Sequence, residues 1–136
     1  MNKATLGTTA ARALAAVRLV NGGLGLLAPG VLVARTSADP HSSAPYYAFR
    51  MFGIRTIVLG ADLLLVSGKA QRRARTEAVL IHATDTVCAA VGGLRGDLPR
   101  PAARRAVAVS GVNTVLALLA RRCTPTSSVG RQDPAK

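Results

Sequence analysis

The chain has no tryptophan, two tyrosines and two phenylalanines, so aromatic residues make up 3% of its 136 positions. Acids are scarce as well: six Asp and Glu stand against eighteen Lys and Arg, a formal net charge of +12. A chain this basic invites a nucleic-acid reading. Base stacking needs flat side chains, which are nearly missing, and the arginines punctuate apolar runs instead of forming one stripe. Nucleic acid is therefore not expected as a partner. Cys88 and Cys123 lie far apart with no CxxC or Cys/His spacing, so neither a metal site nor a thiol redox centre is expected. Cys88 reads as a small packing residue. Phosphate loops, nucleophile elbows and His-rich or carboxylate-rich motifs are missing too, and no cofactor is expected. Finally, no apolar run of about twenty residues goes uninterrupted.

What the chain does have is apolar content: 49% hydrophobic residues and a mean hydropathy of +0.29, carried by Leu, Val, Ala and Gly. Lys3 and the apolar stretch after it resemble a signal peptide, but Arg12 and Arg18 interrupt the apolar region and no A-x-A site follows. Residues 9–33 read as a retained helix. Four helical segments are expected, at about 12–33, 46–68, 76–94 and 102–120, within a single domain over 1–122. Between the first two lies a polar loop with Ser37, Asp39, Pro40, Ser42, Ser43 and Pro45. A basic connector, KAQRRAR, precedes the third segment, and GDLPRP precedes the fourth, where Pro101 suits a first helical turn. Pro29 is placed to bend or end the first helix. Residues 123–136 read as a disordered polar tail.

Periodicity decides between a soluble bundle and a membrane bundle. Arg18, Asn21, Gly22 and Gly25 share one face of the first segment, and Arg55 and Asp62 lie two turns apart on the second. His82, Asp85, Ala89 and Gly92 align on the third, and Ser110, Asn113 and Ala117 on the fourth. Each helix thus has a narrow polar or small stripe and a broad apolar remainder. A soluble bundle needs the reverse, whereas membrane helices turn their few polar groups inward. The expectation is an all-α, four-helix transmembrane bundle with short loops. Tyr46, Tyr47 and Phe49 fit an interfacial aromatic belt. Lys3, Arg12, Lys69, Arg72, Arg73, Arg75, Arg121, Arg122, Arg131 and Lys136, against Arg35 and the four arginines of the third loop, favour both termini on the cytoplasmic side of a plasma membrane, with KAQRRAR meeting anionic headgroups. Arg95, Arg100, Arg104 and Arg105 oppose that orientation.

Depth suggests which charges meet. At about 1.5 Å per residue, Arg18 and Asp62 both lie roughly 9 Å from the inner side, and Arg55 and Asp85 come to similar levels further out. Two buried ion pairs are expected, Arg18–Asp62 and Arg55–Asp85, around a layer of Asn21, His82 and Asn113. In one functional reading His82 and Asp85 are an acid/base pair and Arg55 clamps an anion or a carbonyl. Asn21, Arg18, Asp62 and Asn113 then bind a lipophilic substrate. In the other, the same charges only staple a non-enzymatic membrane subunit or small transporter component. A homo-oligomer or a membrane partner fits this second reading.

RLVNGGLGLLAPG, YYAFRMFGIRTIVLG and HATDT together resemble a group of small four-helix bacterial, actinobacterial-type integral membrane proteins of unknown function, loosely DoxX-like. The resemblance spans roughly residues 12–120. It implies a four-helix membrane fold and no particular reaction.

Overall fold

The computed structural model describes residues 2–36 and 41–123. The last four residues before His41, which belong to the expected polar loop, and all of the expected tail beyond Cys123 lie outside them. Among the described residues there are five helices, not the four expected: α1 (Lys3–Leu27), α2 (Pro29–Thr36), α3 (Ser43–Leu65), α4 (Gly68–Arg95) and α5 (Arg100–Arg122). The extra helix comes from Pro29. A proline disfavours helical geometry in the residue before it, and Ala28 adopts φ −133°, ψ 54°. The first segment therefore ends at Leu27, and α2 restarts in a new direction with Pro29 in its first turn.

Two other boundaries differ from the sequence reading. The first helix starts at Lys3, where Asn2 caps it by accepting from the Ala4 N–H. The KAQRRAR stretch is not a connector but the opening of α4, because Lys, Ala, Gln and Arg are all good helix formers and only Val66 and Ser67 separate α3 from α4. At the far end of α4, Gly96 takes a left-handed conformation (φ 82°) and stops the helix, and Pro101 stands in the first turn of α5.

The helices form two antiparallel hairpins. In the first, α1 packs on α3 through glycine. A Cβ added at Gly25 would lie 2.7 Å from the Phe49 carbonyl oxygen, and one at Gly22 would lie 2.9 Å from that of Gly53. The helix backbones touch there, so nothing larger than hydrogen fits. In the second hairpin α4 packs on α5, with Gly93 against Ala103 and the Thr86 and Thr114 hydroxyls 3.4 Å apart. The hairpins join where α1 meets α5, through Ala10, Ala11 and Ala120, and where Leu14 and Ala15 meet Ala78 and Ala117.

Size separates inside from outside. Among the described residues ten of the thirteen buried hydrophobic ones are alanine, and only Leu14, Val33 and Leu63 are larger. Large apolar residues such as Val20, Leu27, Met51, Ile54, Val58, Leu80, Leu94 and Val115 are exposed. Arg18, Arg75, His82 and Asn113 are buried. Water would favour the opposite arrangement, whereas lipid tolerates an apolar exterior and leaves small residues to draw the helices together. Three helices, α1, α4 and α5, are long and apolar enough to cross a membrane. The long helix α3, which carries Arg50, Arg55 and Asp62, is not one of them. This distribution is that of a helical membrane protein.

Candidate functional site

All five helices line a half-open cleft of about 630 Å³. Its walls are mostly apolar, formed by residues such as Val17, Leu32, Phe49, Phe52 and Val109. Five of the seven residues singled out from the sequence line it together: Arg18 and Asn21 from α1, His82 and Asp85 from α4, and Asn113 from α5. Arg18, His82 and Asn113 are its buried polar residues, at 2%, 8% and 6% exposure.

Arg18 is the hub. Its Nε donates to His82 Nε2 at 3.1 Å, and its Nη1 donates to the Leu59 carbonyl at 3.2 Å. Its Nη2 is buried and has no hydrogen-bond partner among the described residues. A guanidinium only donates, so His82 must present a bare Nε2 and carry its proton on Nδ1. That nitrogen faces Asp85, with Nδ1 3.7 Å from Oδ2, and the Asp85 side chain is about half exposed (48%) at the cleft's mouth. The imidazole therefore stands between carboxylate and guanidinium. It orients Arg18 and is itself oriented by Asp85. The bare nitrogen that a general base would use is already taken by Arg18.

Arg55 and Asp62 do not join the site. Arg55 is exposed and Asp62 is half-buried, and neither lines the cleft. The expected ion pairs Arg18–Asp62 and Arg55–Asp85 do not form among the described residues; Arg18 turns to His82 instead. The cause is the seam on α3. Gly53 and Gly60 are seven residues apart, face α1 together, and are both buried. At about 100° per residue, Arg55 and Asp62 each sit two residues past one of these glycines, on the opposite side of the helix. Cys88, expected as a packing residue, is exposed on α4.

Three cations were missed as site or core residues. Arg105 lines the mouth and donates through Nη2 to the Arg35 carbonyl at 2.6 Å, tying α5 to α2. The sequence held a signal for it, since Arg105, Val109 and Asn113 are spaced four apart on one face. Arg35, also in the lining, had none, because its position depends on the chain breaking at Pro29. Arg75, expected to meet headgroups, is buried at 6% exposure and donates through Nη1 to the Ala120 carbonyl. It thereby serves one of the last carbonyls of α5, where helix ends favour cations. Its spacing of seven from His82, and of His82 from Ala89, was the clue.

Comparison with protein-family models, with curated proteins and with solved structures finds no match. The DoxX-like resemblance accordingly rests on its three motifs alone, and the site is read from its own geometry.

Proposed function

We propose that this is a small integral membrane protein that binds a lipophilic molecule in the five-helix cleft and holds the molecule's polar end on Arg18. The observation behind this reading is the buried Nη2 of Arg18, which has no hydrogen-bond partner among the described residues although it belongs to a fixed guanidinium. A buried donor without a partner is costly, on the order of 1–3 kcal/mol, and a ligand acceptor would offset that cost. The cleft volume lies in the range of small-molecule sites, and apolar walls with a few convergent polar groups are typical of them.

Binding is favoured over acid/base turnover because the Nε2 of His82 is engaged by Arg18. The reading as a stapled subunit loses its main support, since the charge pairs that motivated it do not form. For location, the reading is a bacterial plasma membrane with both termini on the cytoplasmic side. The fold gathers Lys3, Lys69, Arg72, Arg73, Arg121 and Arg122 at one end of the bundle, which supports that orientation.

Isolation of the protein in native membrane discs, followed by extraction and mass spectrometry, tests the reading. A lipophilic molecule should co-purify near one per chain and be lost from a folded Arg18→Gln variant. A folded wild-type protein that retains only bulk lipid would refute it.

A further inference from the structure

The polar floor of the cleft specifies more than a lipophilic ligand. Taken on the binding reading above, we infer that the ligand is a single-tailed amphiphile with a carboxylate head, its charge set against Arg18 and its tail along the apolar walls. Three features point there.

Charge is the first. Arg18 is 2% exposed and touches no carboxylate; its hydrogen-bond partners are a neutral imidazole and a backbone carbonyl. Asp85 lies on the far side of the imidazole and is half exposed. The cleft as a whole has Arg18, Arg35 and Arg105 against Asp85 alone, three positive charges to one negative. Asp85 acts on Arg18 only from beyond the imidazole, and a bound monoanion would supply a counter-charge in direct contact with this most buried cation.

The second feature is the donor set. Besides Arg18, the cleft is lined by the amides of Asn113, which is 6% exposed, and Asn21. Among the described residues neither side chain has a hydrogen-bond partner. A guanidinium and an amide N–H in the lining of one cleft offer donors for the two oxygens of one carboxylate. A neutral carbonyl or hydroxyl head could also accept from Nη2, but it would leave the guanidinium charge uncompensated.

Size is the third. About 630 Å³ is the scale of a small-molecule site, which suits one tail and not the two acyl chains and headgroup of a phospholipid.

The test uses the full chain in lipid discs and measures binding of a long-chain fatty acid, its methyl ester, and an anionic diacyl phospholipid. The acid should bind at least tenfold more tightly than the ester, and Asn113→Ala should shrink that preference severalfold. Equal binding of acid and ester would overturn the carboxylate assignment and leave the broader lipophilic-ligand reading standing. Tighter binding of the phospholipid would overturn the single-tail assignment. Failure of all three probes, in discs where the protein is folded, would overturn the carboxylate assignment, while the co-purification experiment decides the broader reading. The acid-to-ester comparison needs no variant, so the result does not depend on whether Arg18→Gln folds. Where that variant does fold, it should abolish the preference for the acid.

Discussion

Arg18 lies deep in the protein because His82 and the Leu59 carbonyl together hold two of its nitrogens. Removing His82 strands Nε, one of those two, in a place water does not reach. His82→Ala should therefore lower stability in detergent by about 1–3 kcal/mol, read as a drop in the thermal midpoint. His82→Gln, whose side-chain oxygen can accept in place of Nε2, should recover part of the loss. If alanine and glutamine are equivalent, the Arg18–His82 bond contributes nothing. Arg55 and Asp62 should behave in the opposite way, since they face away from the seam. Arg55→Ala and Asp62→Asn should each change stability by less than about 0.5 kcal/mol. A large loss at either one, in the same thermal assay, would mean that it has a partner the fold does not provide.

At the scale of elements, the seam between α1 and α3 is the most demanding contact. Two glycines of the NGGLG run, two residues apart, make the point. Gly23 has nothing within 4 Å of an added Cβ, so Gly23→Ala should be neutral or stabilise by up to about 1 kcal/mol, through helix preference alone. Gly25→Ala would drive its methyl to 2.7 Å from the Phe49 carbonyl oxygen and should destabilise by about 1–3 kcal/mol as the helices separate. The same thermal measurement on the two variants checks this, and equal effects would refute the seam. Because α3 also carries Phe49 and Phe52 into the cleft wall, Gly25→Ala should widen the site as well.

For the whole molecule, the inverted distribution of size is the central fact. Small residues and a few polar groups lie inside and large apolar residues outside, so the bilayer acts as the solvent for the exterior. Cys88 offers a direct check, being exposed on α4, one of the three helices able to cross a membrane. In sealed vesicles it should resist a charged, water-soluble maleimide and react with a lipophilic one. Rapid labelling by the charged reagent would place that face of α4 in water. The same reversal explains why only part of the site was readable in advance. The stripes on α1, α4 and α5 marked Arg18, Asn21, His82, Asp85 and Asn113, all of which line the cleft. The stripe on α3 misled, because two charges looked like the buried feature when two glycines were.

Sequence pattern alone determined that the chain is helical and apolar-faced, that Pro29 interrupts the first segment, and which face of three helices turns inward. Those properties are local: they follow from helical period, proline chemistry and the expense of polar groups in hydrocarbon. Only the tertiary structure decided that Pro29 creates a separate α2, that Gly53 and Gly60 rotate Arg55 and Asp62 away from the interior, and that Arg18 meets His82. Charge matching by depth could not foresee this. Depth along a helix fixes a residue's level but not its azimuth, and the azimuth of α3 is set by where two backbones can approach closely enough to touch.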